Sequence, residues 1–132
     1  MRTLLALLLI SPLLLSLSPN DTCQVRHNGI YTAPVDNETD AHIRFYPDGI
    51  VIVSTSVKNI KDVSTWFNKE NSDRILKGKY KLKGCSLKFS VKGDTGSQKF
   101  TGTVQADGSL SVQITDGATK AQTSRVYTFV GI

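Results

Sequence analysis

Short segments in which apolar and polar residues alternate follow one another from residue 29 to the end of the chain. In the clearest of them, residues 75–84, Gly78, Tyr80 and Leu82 share one face and lysines occupy the other, which is typical of a half-buried strand. Strands are predicted on this basis at residues 29–35, 42–46, 50–57, 75–84, 85–92, 99–106, 109–115 and 125–132. The pattern therefore predicts an all-β fold.

Tight turns join most of these segments. Residues 46–49 place Pro47 at the second position of a turn and Gly49 at its last, and residues 107–108 and 116–117 are both Asp-Gly. Strands joined in this way become antiparallel neighbours, and closing the sheet removes its exposed edges. We therefore predict an eight-stranded antiparallel up-and-down (meander) barrel.

One segment between the third and fourth strands has a different pattern. Residues 62–72 can begin a helix at Asp62 or Ser64, which are good N-caps. Its apolar residues recur at helical spacing: Val63, Trp66 and Phe67. We predict one short helix here, a lid or plug that packs Trp66 against one end of the sheet, with an irregular loop around a buried tryptophan as the alternative.

The N-terminus is typical of a secretory signal. A basic residue, Arg2, precedes an apolar run that reaches Leu15 and is too short for the roughly 20 residues needed to span a bilayer. We predict a signal peptide over residues 1–18, cleaved between positions 16 and 22, and a secreted or periplasmic protein. Residues 19–132 are enough for a single domain.

The chain contains two cysteines, Cys23 and Cys85, both in the predicted mature part. An oxidising compartment favours a disulfide between them, which would tie the N-terminal segment to the middle of the domain. A metal-binding pair or a reactive thiol is the alternative, but the residues around the two cysteines do not have the spacing of a metal site. We therefore expect a disulfide between the two.

Charge is divided unevenly along the chain. Residues 19–73 contain five Lys or Arg against eight Asp or Glu, whereas residues 74–132 contain ten against three. If the fourth and fifth strands pair, six lysines share one outer patch: Lys77, Lys79, Lys81, Lys83, Lys88 and Lys92. Such a patch attracts anionic polymers or surfaces, although outward lysines also simply keep a sheet soluble. The absence of interleaved aromatic or Arg residues argues against specific recognition of a nucleic acid.

Catalytic and metal-binding motifs are not recognisable. Residues 94–97, Asp-Thr-Gly-Ser, match an aspartic protease string, but a hairpin turn explains the same residues. His27 and His42 lack the spacing of a zinc site or of a nucleophile and its base. The sequence thus predicts no catalytic residue, metal or cofactor, and a small hydrolase that uses Asp94 is a distant alternative.

Three short segments resemble those of calycin-type, lipocalin-like barrels: residues 29–31 (Gly-Ile-Tyr), residues 44–49 (RFYPDG) and residues 127–129 (Tyr-Thr-Phe). The resemblance implies a barrel that holds a small apolar ligand. The predicted binding residues at the barrel mouth are Tyr31, Trp66, Phe67 and Tyr80. An eight-stranded barrel can also be filled by its own side chains and then carries no ligand.

These observations predict an exported, monomeric, non-catalytic binding protein. The ligand is either a small apolar molecule in the barrel or, alternatively, an anionic polymer or surface of the envelope or of a host, bound by the lysine patch. Asn20 and Asn37 begin Asn-x-Thr triplets, which are glycosylation acceptors in hosts that have the machinery.

Overall fold

The computed structural model describes residues 23–58 and 63–132 and shows a closed barrel in which strands adjacent in the chain are adjacent in the sheet. Every neighbouring pair is antiparallel, and pairing of the last strand with the first closes the barrel. The elements are β1 (Gly29–Pro34), β2 (Thr39–Phe45), β3 (Ile50–Val57), α1 (Val63–Trp66), β4 (Leu76–Lys83), β5 (Ser86–Gly93), β6 (Gly96–Val104), β7 (Leu110–Asp116) and β8 (Gln122–Gly131). The predicted fold class is confirmed.

Several strands begin earlier than predicted. Strand β2 starts at Thr39, β6 at Gly96 and β8 at Gln122, and the added residues are mostly polar. Gln122, for example, pairs with Thr115 of β7. Backbone pairing requires no apolar side chain, so hydrophobic alternation marks only the part of each strand that reaches the core.

Three predictions concern residues that the structure does not describe. The signal peptide over residues 1–18, with its cleavage site, lies outside the described residues, as do Asn20 and the possible helix cap Asp62. Within residues 23–58 and 63–132, no helix is both long and apolar enough to cross a membrane.

The helix is shorter than predicted and ends at Trp66. The Asn68 side-chain oxygen accepts hydrogen bonds from the backbone N–H groups of Glu70 and Asn71, both at 3.1 Å. The Asn71 amide in turn donates to the Trp66 carbonyl at 2.9 Å. Asparagine side chains that bond the local backbone compete with helical hydrogen bonds, and here they replace the helix with turns.

Aromatic side chains fill the barrel interior. Tyr31 and Phe45 are fully buried with their ring centroids 5.5 Å apart, and Phe45 lies 5.8 Å from Phe89. Phe89 stacks on Phe100 at 4.5 Å. Together with the inward aliphatic residues these rings form one continuous core cluster.

The two ends of the barrel differ. At one end, which we call the closed end, lie the β4–β5 turn and the start of β1, and there the Cys23–Cys85 disulfide holds the N-terminal segment, residues 23–28. Val25 of this segment belongs to the core cluster. The predicted disulfide is confirmed. The opposite end, which we call the open end, is formed by the β1–β2, β5–β6 and β7–β8 turns.

The chain between β3 and β4 covers part of the outer surface of the barrel. Strand alternation turns Ile30 of β1 and Ile52 of β3 away from the core, and both pack with Phe67 and Ile75 in a second apolar cluster. We call residues 63–75 the α1 segment. It therefore packs its apolar residues against the side of the barrel. The prediction that it packs Trp66 against one end of the sheet is corrected by this placement.

Candidate binding sites

The four residues predicted at the barrel mouth are not brought together. Tyr31 and Tyr80 belong to the interior cluster, whereas Trp66 and Phe67 lie in the outer one. The Tyr31 hydroxyl accepts a hydrogen bond from the Arg26 backbone N–H at 2.8 Å, and burial raises its pKa. The Tyr80 hydroxyl donates to the Tyr46 carbonyl at 3.0 Å, and burial raises its pKa too. The sheet alternation, which gives β1 and β3 apolar residues on both faces, explains why the α1 segment docks outside.

A network of hydroxyl groups surrounds His42 beneath the α1 segment. His42 is 4% exposed, and its Nδ1 lies 3.0 Å from Thr32 Oγ1 and its Nε2 2.7 Å from Ser56 Oγ. Burial lowers the pKa of His42, while the charge of Asp40 opposes that shift. The network joins β1, β2 and β3. The Phe67 ring covers it, and its centroid lies 5.9 Å from the centroid of the His42 ring. Its chemistry is that of a neutral, hydrogen-bonded imidazole that holds three strands in register.

The six lysines of the predicted patch lie on one outer face. Strands β4 and β5 pair as the predicted hairpin, with Lys77 opposite Lys92 and Lys81 opposite Lys88. All six side chains are exposed: Lys77, Lys79, Lys81, Lys83, Lys88 and Lys92. Burial of the residues between them confirms the alternation, because Leu87, Phe89 and Val91 of β5 point into the core.

Strand β6 extends the basic surface beyond the prediction. Lys99 pairs with Ser90 of β5 and is exposed, since its neighbour Phe100 points inward. We call the outer surface of β4, β5 and β6 with its seven lysines the lysine face. A groove of about 680 Å³ lies at its edge and is lined by four lysines, Lys77, Lys92, Lys99 and Lys120, and by one carboxylate, that of Asp116. Sequence reasoning missed Lys99, although its position next to the inward Phe100 already indicated that it points outward.

Among the described residues, no lysine of the lysine face forms an ion pair with a carboxylate, and Asp116 is the carboxylate that lines the groove at its edge. The ion pairs in the described part of the chain are Lys58 with Asp40 and Lys69 with Asp48, both at 2.7 Å. Both lie outside the lysine face. Lys77 instead donates to the Lys69 backbone carbonyl at 2.6 Å. The outward positions of β4, β5 and β6 carry lysine, serine and threonine.

A cavity of about 230 Å³ occupies the open end. Arg125 of β8 lines it together with Tyr127, Gln98 and Phe100. Arg125 shares the inward face of β8 with Tyr127, and its Nη1 donates to the Tyr127 hydroxyl at 3.4 Å. Sequence reasoning missed Arg125, although alternation with Tyr127 and Phe129 already indicated that it points inward.

The remaining sequence candidates have simple placements. Asp94 and Thr95 form a two-residue turn between Gly93 and Gly96, which pair with each other, and Asp94 is exposed. This is the predicted hairpin turn. No group of three or more potential metal-ligating side chains occurs among residues 23–58 and 63–132.

Comparison of the chain with protein-family models, with curated proteins and with solved structures gives no match. The resemblance to lipocalin-like barrels therefore stays a prediction, and the assignment of function depends on the surfaces described above.

Proposed function

We propose that this protein is an exported, non-catalytic binding protein whose lysine face binds an anionic polymer. The observation that carries the proposal is the set of seven outward lysines on three adjacent strands, without a carboxylate partner among the described residues. The disulfide fits an oxidising compartment outside the cell, and the predicted signal peptide supports export.

The spacing of the lysines favours a polymer over a small anion. Alternate residues of a strand lie about 6.7 Å apart, and directly opposite residues of neighbouring strands about 5 Å apart. Lys77, Lys79, Lys81 and Lys83 thus form a row of regularly spaced charges, with Lys88 and Lys92 beside it. Like charges directly opposite each other destabilise a sheet, so this arrangement costs folding free energy that a bound polyanion would offset.

Among anionic polymers, an acidic polysaccharide fits the surface best. The outward positions of β4, β5 and β6 carry neither an aromatic ring for base stacking nor an arginine for paired phosphate hydrogen bonds. They do carry hydroxyl groups that can hydrogen-bond sugars: Ser86, Ser90, Ser97, Thr101 and Thr103. The filled aromatic interior supports this external site over transport of an apolar ligand inside the barrel.

Heparin, a sulfated polysaccharide, provides the test. Wild-type protein should bind immobilised heparin with an affinity that falls steeply as salt rises. The variant Lys79→Glu/Lys81→Glu should bind at least about tenfold more weakly at about 0.1 M salt, because it replaces attraction with repulsion in the middle of the row.

The matched control is Arg26→Glu/Lys58→Glu, which changes the net charge equally but lies on the acidic half of the barrel. It should retain most of the affinity. Equal loss in both double variants would show that only net charge matters and would contradict the proposal. Binding to duplex DNA or to anionic lipid vesicles that is as tight as binding to heparin would reject the assignment to polysaccharide.

A further inference from the structure

The groove at the edge of the lysine face runs across the strands of the barrel. Its lining residues come from β4, β5, β6 and β7 and from the turn that follows β7. Two rows of outward residues cross it, and members of a row lie opposite one another on neighbouring strands: Lys77, Lys92 and Ser97 in one row, and Ser90, Lys99 and Thr115 in the next. Four strands span about 14 Å, whereas neighbouring rows lie about 7 Å apart. A chain in the groove therefore crosses the strands.

The β7–β8 turn forms one side of the groove. The Gly117 N–H donates to the Ser97 carbonyl at 2.9 Å, so the turn lies directly against β6. Lys120 of the same turn has a φ of 63°, and its ammonium group donates to the Gly117 carbonyl at 2.9 Å. Glycine or asparagine ordinarily occupies a left-handed position of this kind. A lysine there points to a use for its charge in the groove.

Positive charge predominates in the groove. Four ammonium groups line it against one carboxylate, that of Asp116, and none of the four forms an ion pair with a described residue. One Asp116 oxygen accepts hydrogen bonds from the Thr119 N–H at 2.9 Å and from the Ala118 N–H at 3.0 Å. These bonds lower the pKa of Asp116. Asp116 therefore holds the turn and leaves the groove with an excess of positive charge.

The type of donor in the groove discriminates between anionic groups. Ammonium and hydroxyl groups line it, and the described lining residues include no arginine. A planar carboxylate is matched best by the fork of a guanidinium, which forms two parallel hydrogen bonds with it. A sulfate ester instead has three terminal oxygens that point in different directions and accept from separate donors, as a phosphate does from lysine. The donor set of the groove therefore suits a sulfate ester better than a carboxylate.

We propose that this groove binds a sulfate-bearing sugar unit, so that the lysine face recognises a sulfated polysaccharide lying across the strands. This inference rests on the proposed function and adds the position of the polymer and the anionic group that is recognised. The groove volume of about 680 Å³ lies within the roughly 300–1,000 Å³ that is usual for small-molecule sites. A sugar unit with its sulfate is of that size.

Chondroitin sulfate and polygalacturonate are the probes, and calorimetric titration of the disulfide-bonded protein is the measurement. Polygalacturonate carries a carboxylate on every sugar, whereas chondroitin sulfate alternates carboxylate with sulfate, so the two polymers have the same charge per sugar. Wild-type protein should bind chondroitin sulfate with at least about tenfold higher affinity at about 0.1 M salt.

Two double variants that remove the same charge locate the site. Lys99→Gln/Lys120→Gln acts inside the groove and should reduce chondroitin sulfate affinity at least about tenfold, which removes the preference over polygalacturonate. Lys83→Gln/Lys88→Gln acts on the lysine face outside the groove. It should weaken both polymers about two- to threefold and keep the preference. All four side chains are exposed, and urea unfolding establishes that both variants are folded.

The outcomes separate this inference from the proposed function. Equal wild-type affinity for the two polymers, or equal loss of chondroitin sulfate affinity in the two double variants, would overturn the inference. The proposed function would still stand if Lys79→Glu/Lys81→Glu lost heparin binding. Wild-type protein that binds neither heparin nor the two probes would reject the proposed function and the inference with it.

Discussion

At the scale of single residues, His42 connects burial with pH. Both ring nitrogens lie within hydrogen-bond distance of hydroxyl oxygens, and Phe67 covers the imidazole. A protonated ring would place a positive charge between β2 and the α1 segment, where Asp40 of β2 is the nearby carboxylate and Arg44 of the same strand is a further cation. Burial outweighs the Asp40 charge, so the folded protein favours the neutral ring.

We predict that this residue makes stability depend on pH. Because the folded-state pKa of His42 lies below its value of about 6.5 in the unfolded chain, the unfolded state binds more protons once the pH falls below about 6.5. The free energy of unfolding should therefore be highest above that pH and decrease between about pH 6.5 and about pH 5. Urea unfolding at both pH values measures the change.

The variants His42→Gln and His27→Gln identify the group responsible. His42→Gln should lower stability at neutral pH, since it disturbs the hydroxyl network, but should lose most of the decrease between the two pH values. His27→Gln keeps His42 and should keep the decrease.

The carboxylates act in a lower pH range than His42. Hydrogen bonds lower the pKa values of Asp36, Asp48, Asp107 and Asp116, so these carboxylates lose their contribution to stability only below about pH 4. An unchanged pH dependence in His42→Gln would contradict this assignment.

At the scale of elements, Gly78 allows β4 and β5 to approach closely. A Cβ atom on Gly78 would lie 1.8 Å from the Ser90 carbonyl oxygen and 3.2 Å from the Val91 Cα, both backbone atoms of the partner strand. We predict that Gly78→Ala lowers the free energy of unfolding by about 1–3 kcal/mol, because the strands must move apart. Urea unfolding measures this, and Gly131→Ala is the matched control.

Gly131 also lies in a strand, and a Cβ atom there would meet nothing within 4 Å. Gly131→Ala should therefore change stability little. Equal stabilities of the two alanine variants would show that the hairpin adjusts without cost and would contradict the role given to Gly78. Because the Lys77–Lys92 pair flanks this position, weaker heparin binding by a folded Gly78→Ala variant is expected if the spacing of the lysines matters.

Sequence alternation identified the strands and six of the seven lysines of the lysine face, because these six alternate with inward residues, as Lys88 does with Leu87 and Phe89. It did not identify the docking of the α1 segment. The unbroken apolar run of β3, Ile50–Val53, indicates burial on both faces, but the run does not say what covers the outer one. Arg125 was missed because a charged residue within a strand is ordinarily assigned to the outside, whereas its register with Tyr127 turns it inward.

At the scale of the whole molecule, the two sides of the barrel differ from each other, and so do its two ends. The outer surface of β1–β3 is covered by the α1 segment, while that of β4–β6 is uncovered and basic. One end is occupied by the N-terminal segment, and the other contains the cavity with Arg125.

The disulfide should control how firmly the closed end is held. Beyond the bond to Cys85, the N-terminal segment is fixed by burial of Val25, the Arg26 N–H bond to Tyr31, and the Arg26 guanidinium 4.2 Å above the Phe129 ring. We predict that Cys23→Ser/Cys85→Ser lowers the free energy of unfolding by about 2–4 kcal/mol, because a long loop is no longer closed in the unfolded chain. Urea unfolding measures this loss.

A second measurement locates the effect. Trypsin should cleave after Arg26 faster in the double serine variant than in the disulfide-bonded protein, since the segment then opens without unfolding of the barrel. Cleavage after Lys92, in the paired strand β5, should become faster only in proportion to global unfolding. If cleavage after Arg26 accelerates no more than cleavage after Lys92, the segment is an integral part of the barrel and not a separately held closure.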